Sequence, residues 1–154
     1  MWPVVIPRPD AAFAVSVLSQ FVQNPGPVHW EVLKCVIVYL SSTKDLWFTF
    51  GGCGKALVEV FCDADFANQK DQHSISGYSS HIERGAVTWS SKKQMLVALS
   101  TVEVEYIAQA HVVKEVLWLC TFIRELRGET KKPIMIHCNN QGAIALSKDN
   151  RFHT

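Results

Sequence analysis

The feature that most constrains the fold is a long amphipathic segment that begins at Ser100 and ends before Gly128. Apolar residues recur along it at steps of three and four, which predicts a helix that must be covered by another layer of structure. We expect two apolar rows to face the interior. The first is Tyr106, Ala110, Val113, Leu117 and Cys120, and the second is Val112, Val116, Leu119, Ile123 and Leu126.

Three β-type runs precede this helix and one follows it. Each run is rich in apolar or β-branched residues and is bounded by polar or glycine-containing turns, which is typical of strands. The order β-β-β-α-β-α predicts the α/β class with a mixed α+β sheet. The predicted strands are residues 57–62, 77–82, 86–90 and 134–138, and a last short helix covers 140–147.

The first fifty residues have a different, helical pattern. Asp10 is a candidate N-cap for one helix, and a second helix is predicted from His29 to Leu40 after a Pro/Gly break. A short strand is predicted at Leu46–Phe50, and we expect Trp30, like Trp118 of the long helix, to lie in the core. Because the glycine cluster 51–54 is typical of a flexible joint, we predict two domains, residues 1–54 and 55–154.

Charge and cysteine content exclude several classes of protein. Fifteen Lys and Arg against fourteen Asp and Glu give a net charge of +1, so nucleic-acid binding would depend on a local patch. Lys92, Lys93 and Arg84 are candidates for it, and the alternative is that they are solvated loop residues. Five scattered cysteines without a CxxC pair argue against a disulfide framework or a structural zinc site. No signal peptide or membrane-length apolar run is present, so we expect an intracellular chain without a membrane partner.

Two places in the sequence present carboxylates next to regular structure. Asp63 and Asp65 come at the end of the first predicted strand, where aspartates also occur simply because they suit turns. Ser100 and Glu103 have the spacing of a capping box, which gives Glu103 a structural role. Glu105 lies about 200° further round the helix, so the two glutamates cannot serve one face. Spacing alone leaves the choice between function and structure open.

The motifs in combination closely resemble the ribonuclease H domain of copia-type retrotransposon Pol polyproteins, and the segment before them resembles the tail of the reverse transcriptase that precedes that domain. The resemblance covers about residues 8 to 154. The RNase H-like motifs are Asp63-Ala64-Asp65-Phe66-Ala67, Ser76-Gly77-Tyr78, Trp89-Ser90-Ser91-Lys92-Lys93-Gln94, Ala98-Leu99-Ser100-Thr101, Glu105-Tyr106-Ile107-Ala108 and Trp118-Leu119. The upstream ones are Arg8-Pro9-Asp10, Phe13-Ala14-Val15, Phe21, Asn24-Pro25 and His29-Trp30.

The resemblance implies an RNase H-like fold whose carboxylates hold two Mg²⁺ (or Mn²⁺) ions and hydrolyse the RNA strand of an RNA–DNA hybrid. Asp63 and Glu105 match two of the family's metal ligands, with Asp65 and Glu103 as the nearest competitors. The implied partners are the hybrid and the rest of the Pol polyprotein. An intact element would place them in the cytoplasm or in virus-like particles.

The sequence departs from the family pattern in two places. Where the family has Cys-Asp-Asn or Cys-Asp-Ser, this chain has Cys138-Asn139-Asn140, so the third position keeps a carbonyl oxygen and loses a negative charge. A fourth acidic position would fall beyond Thr154, and we therefore expect a C-terminally truncated domain with impaired activity. The alternative is an inactive remnant that at most binds nucleic acid or a protein. Residues 1–60 contain no paired-aspartate polymerase motif, which excludes DNA synthesis by this chain alone.

Overall fold

The computed structural model describes residues 7–51, 58–67, 71–127, 133–149 and 151. After a 3₁₀ turn at Pro9–Ala11, the elements follow the predicted order except for one absent strand, Leu46–Phe50, and the class is mixed α/β. Bounds agree with the predicted ones to within a few residues. The helices are α1 (Ala12–Ser19), α2 (Pro27–Ser42), α3 (Thr101–Arg127) and α4 (Gln141–Lys148), and the strands are β1 (Val58–Asp65), β2 (Ile75–Ile82), β3 (Gly85–Lys93) and β4 (Met135–His137).

The four strands form one mixed sheet in the order β3-β2-β1-β4. β1, β2 and β3 are antiparallel neighbours joined by short connections, whereas β4 runs parallel to β1. A parallel neighbour needs a long crossover connection, and α3 supplies it. The β2–β3 hairpin turns through Glu83 and Arg84, whose φ angles of 48° and 71° are those of a two-residue type I′ turn.

The core lies between α3 and one face of the sheet. Val58, Val60 and Cys62 of β1 alternate with outward-facing residues and pack against α3. The second predicted apolar row of α3 is confirmed as buried, apart from Leu126. The first row is wrong for Ala110, Val113 and Leu117, which are exposed because the described sheet covers one side of the helix only. Its other members, Tyr106 and Cys120, are half-buried, and Cys120 packs against the core. The buried row of α3 is Val104, Ala108, Val112, Val116, Leu119 and Ile123.

The predicted strand at Leu46–Phe50 does not form, since these residues pair with no other strand. Phe48 instead places its ring 5.9 Å from that of Trp89 on β3. The prediction that Trp30 and Trp118 are core residues is also wrong, because they are 57% and 54% exposed. Trp30 lines an open groove between α1 and α2, and Trp118 stacks on Phe122 on the exposed side of α3.

The prediction that Asp10 caps a helix is wrong, because α1 begins two residues later, at Ala12. Its carboxylate accepts hydrogen bonds from the Arg8 guanidinium (2.7 and 3.0 Å) and from the Tyr39 hydroxyl (2.7 Å). The Arg8 contact, ahead of the Tyr39 bond, lowers the pKa of Asp10 to about 2. Asp10 therefore ties the start of α1 to the end of α2.

Most of the glycine cluster 51–54 lies outside the described residues, so the domain boundary stays a prediction. Within the described ranges, no helix has the length and apolarity needed to cross a membrane.

Candidate active site

Three of the residues singled out in the sequence, Asp63, Glu105 and Asn139, come together at one end of the sheet. β1 and β4 are parallel, with Phe61 opposite His137, so the residues two positions further along each strand are Asp63 and Asn139. Asn139 Nδ2 donates to Asp63 Oδ1 at 3.3 Å. The Asp63 carboxylate is also within hydrogen-bonding reach of Glu105, which α3 presents from above the sheet.

Glu105 is a buried carboxylate with specific partners, only 6% exposed. It accepts from the backbone N–H of Ala64 and, at 3.8 Å, from the Cys138 thiol, which is itself held by Gln109 Nε2 at 3.1 Å. Burial first, and then the charge of Asp63, raises the pKa of Glu105, while the Ala64 and Cys138 contacts oppose that change. A buried carboxylate held beside a second, exposed carboxylate is an arrangement typical of functional sites.

Glu105→Gln is expected to stabilise the protein at neutral and higher pH. Because the folded state raises the pKa of Glu105, the stability associated with its protonated form is present below the unfolded pKa and is lost as pH rises through the folded pKa. The glutamine resembles the protonated acid at all pH values. In EDTA, we expect equal melting temperatures near pH 4 and a gain of about 2–4 °C for the variant near pH 8.

Thermal melts followed by circular dichroism across this pH range measure the difference, with Glu103→Gln as the control. A Glu105→Gln protein that melts below the parent at pH 8 would show that the carboxylate is stabilised as the anion.

The competing acidic residues lie in other surroundings. The Ser100 hydroxyl accepts from the Glu103 N–H at 3.2 Å, as predicted for a capping box, but the Glu103 carboxylate accepts from the N–H of Leu99 instead of Ser100 (2.8 Å). Glu103 is thus exposed at the helix start. Asp65 is the exposed last residue of β1, opposite Ile75. Of the two glutamates, it is Glu105 that the fold brings to Asp63.

The donor set suits a hard divalent cation by type. Mg²⁺ prefers oxygen ligands and keeps several waters, so oxygens from three elements are a fitting set. Within the described ranges no group of three His, Cys, Asp or Glu side chains is arranged to hold a metal. At this site the third position is an amide. Asn139 turns its nitrogen towards Asp63, and a half-turn of the amide would offer its oxygen instead. The set fits Mg²⁺ with one negative charge fewer than three carboxylates would give.

The basic residues named from the sequence do not form one patch. Arg84 lies in the β2–β3 turn, and Lys92 and Lys93 lie at the opposite end of β3. The Lys93 ammonium is paired with Asp71, and this contact lowers the pKa of that aspartate. Lys92 lies instead in a groove with His111 and Lys114 of α3, two residues that the sequence analysis missed. His111 and Lys114 lie three residues apart on α3, but Lys92 precedes them on β3, and no local pattern connects it to them.

Comparisons with known proteins place the chain in a family. No protein-family model and no solved structure matches it. It is 42% identical to the retrovirus-related Pol polyprotein from transposon TNT 1-94 of Nicotiana tabacum over 99% of this chain and 11% of that protein. The Arabidopsis thaliana polyprotein from transposon RE2 is 35% identical over 96% of this chain and 10% of its own length. Secreted RxLR effector protein 161 of Plasmopara viticola is 43% identical over 83% of this chain and 91% of that protein.

The chain spans about a tenth of the length of the Pol polyproteins that it matches. The similarity to them extends over nearly all of the chain, including the segments that carry Asp63, Glu105 and Asn139. The chain belongs to the family of copia-type retrotransposon Pol polyproteins.

Proposed function

We propose that residues 55–154 belong to an RNase H-like domain that hydrolyses the RNA strand of an RNA–DNA hybrid with Mg²⁺ or Mn²⁺, at a rate reduced by Asn139. One observation carries the proposal: Asp63 of β1, Glu105 of α3 and Asn139 after β4 converge at one end of a mixed sheet. The membership in the Pol family supports it, because a retroelement polyprotein is the context in which such a nuclease acts.

Each of the three residues has a definable part. Asp63 is exposed and offers its carboxylate to solvent, where a cation and a phosphate would enter. Glu105 is held in one orientation by the Ala64 N–H, which limits the reorganisation needed to bind a cation. Asn139 can contribute a neutral oxygen. A pair of bound cations would stabilise the attacking and leaving oxygens of an in-line displacement at the scissile phosphate.

Cleavage of a 5′-labelled RNA–DNA hybrid tests the proposal. We expect slow cleavage of the RNA strand in Mg²⁺ or Mn²⁺, abolished by EDTA and by Asp63→Asn, because the exchange removes one of only two ligand charges. Asp65→Asn is the matched control, since it removes the same charge two residues further along β1. Cleavage that survives Asp63→Asn would contradict the assignment of Asp63.

A second candidate function is metal-free binding of the hybrid by an inactive remnant. It is favoured by the hydrogen bond from Asn139 Nδ2 to Asp63 Oδ1, which satisfies the exposed carboxylate without a cation. The same assay separates the two functions. A chain that binds the hybrid in EDTA and cleaves nothing in either metal would support the second.

A further inference from the structure

A groove of about 140 Å³ runs along α3 on the side away from β4. One wall is formed by Ser76 and Gly77 of β2 with Ser90 and Lys92 of β3, and the other by His111 and Lys114 of α3. None of these residues belongs to the Asp63–Glu105–Asn139 site. Apart from Gly77 and Ala108, its lining residues carry hydroxyl, imidazole or ammonium groups, and no carboxylate side chain is among them, so the groove has the chemical character of an anion site.

The two lysines carry unpaired charge. Neither Lys92 nor Lys114 forms an ion pair with any residue of the described chain, whereas Lys93 pairs with Asp71 and Lys34 with Glu31. In a chain whose charges otherwise nearly cancel, two unpaired ammonium groups on one groove are a local excess of positive charge. The nearest acid on the helix is Glu115, which is hydrogen-bonded to the Tyr78 hydroxyl at the groove wall. Burial, followed by this Glu115 contact, raises the pKa of Tyr78 to about 12, so the phenol stays a donor to Glu115.

Neutral donors complete the groove. The Ser76 hydroxyl accepts a hydrogen bond from Gln94 Nε2 at 2.7 Å, which leaves its own O–H free to donate. Ser90, on the neighbouring strand, presents a half-buried hydroxyl to the same space. Hydroxyl donors beside ammonium groups are the usual contacts of phosphate oxygens in nucleic-acid complexes. The volume accommodates one phosphate group with a few waters.

The groove lies next to the candidate active site. Gly77, which lines the groove, is directly opposite Asp63 in the β1–β2 pair, and backbones so paired are about 5 Å apart. Ala108, also in the lining, lies about one helical turn after Glu105. A strand with one phosphate at Asp63 and Glu105 would therefore have a neighbouring phosphate within reach of the groove.

We propose that the groove between β2, β3 and α3 binds one backbone phosphate of a nucleic-acid strand, with Lys92 and Lys114 as its charged contacts. The proposal rests on the proposed function for the nature of the strand, an RNA–DNA hybrid, and it does not depend on cleavage. It assigns His111 and the two serines to the same phosphate.

Binding of a fluorescent RNA–DNA hybrid in EDTA, measured by anisotropy over a range of salt concentrations, tests the groove. The test variant is Lys92→Gln with Lys114→Gln, which keeps the aliphatic stems and removes the charges. The control is Lys34→Gln with Lys44→Gln, which removes two exposed charges from α2 and the turn after it. Equal melting temperatures of the three proteins establish that folding is unchanged.

We expect the groove variant to bind the hybrid about tenfold more weakly near 0.1 M salt. Its slope of log K against log[salt] should be smaller by about 0.9, the value for one phosphate contact, and the control should match the parent. Equal weakening of both variants would overturn the proposal, since it would indicate a diffuse field. A second result would also overturn it: inorganic phosphate displaces the hybrid at matched ionic strength, and the groove variant keeps the parent's slope of log K against log[salt]. The groove would then bind free phosphate and not a phosphate of the strand.

The outcome is separable from that of the proposed function. If the parent does not cleave the hybrid, but the groove variant binds it more weakly than the control variant does, the result contradicts only the proposed nuclease activity. Cleavage that persists with no difference between groove and control variants contradicts the groove alone.

Discussion

Asn139→Asp is expected to raise the rate of RNA-strand cleavage by about a hundredfold, which corresponds to about 2.7 kcal/mol of transition-state stabilisation. Asn139 already lies beside Asp63, with Nδ2 at 3.3 Å from Oδ1, so an aspartate there would need no rearrangement of the backbone. Two unit charges 4 Å apart near a protein surface interact by about 4 kcal/mol, and the added carboxylate would meet a divalent cation. The effect is therefore large for an exchange of nearly isosteric side chains.

The control for this exchange is the next residue along the chain. Asn140 caps α4 by accepting from the Ala143 N–H at 3.0 Å, and aspartate caps helices as well as asparagine does. Asn140→Asp therefore adds the same charge one residue away without loss of the cap. Single-turnover cleavage rates at several Mg²⁺ concentrations measure both variants. If the two exchanges raise the rate equally, Asn139 does not stand at a ligand position.

In the absence of metal the same exchange should have the opposite effect on stability. Asn139→Asp replaces the donor to Asp63 by a third carboxylate, so in EDTA we expect a lower melting temperature than that of the parent, by a few degrees. Added Mg²⁺ should reverse the difference, because a ligand that binds the folded state raises its stability. Melting curves with and without Mg²⁺ measure both parts. If the melting temperature of the variant does not change when Mg²⁺ is added, the result would argue against a cation site at this position.

The local parts of the fold were predictable from the sequence because local rules produce them. Glu83 and Arg84 adopt the turn that separates two β-type runs, and the Ser100 hydroxyl accepts from the Glu103 N–H as the capping box requires. The motif resemblance also named Asp63, Glu105 and Asn139 as a set, and the fold brings them together. What the motifs could not give is the environment of Glu105, since its partners include the Ala64 N–H of β1 and the thiol of Cys138, which follows β4.

The predictions that failed depend on which surfaces are covered. A β-strand is stable only beside another strand, and Leu46–Phe50 pairs with none in the described chain. Its aromatic residue Phe48 contacts Trp89 of β3 instead. Trp118 lies on an apolar row, yet it is exposed and stacks on Phe122 with ring centroids 5.5 Å apart.

The groove lysines could not be paired from the sequence, because Lys92 and Lys114 are more than twenty positions apart. Tertiary packing alone makes them neighbours.

Leu119→Ala is expected to lower the free energy of unfolding by about 2–5 kcal/mol, whereas Leu117→Ala should change it by less than about 0.5 kcal/mol. Both leucines lie on α3, two residues apart, and the sequence alone assigns both to buried rows. In the structure Leu119 is 2% exposed and packs with Val60 and Val116, while Leu117 is 63% exposed. Truncation at Leu119 removes apolar contacts and leaves a cavity, and truncation at Leu117 removes a side chain that is already in water.

Urea unfolding followed by circular dichroism measures the two free energies, and the helix propensity of alanine is the same at both positions, which isolates the effect of burial. The comparison also tests whether a further layer of structure packs on α3. If Leu117→Ala is as destabilising as Leu119→Ala, the first apolar row is covered in solution, and a layer beyond the sheet must pack on α3. If only Leu119→Ala destabilises, one face of α3 suffices for the fold, and the exposed row of Val113, Leu117 and Trp118 is not part of the core that positions Glu105.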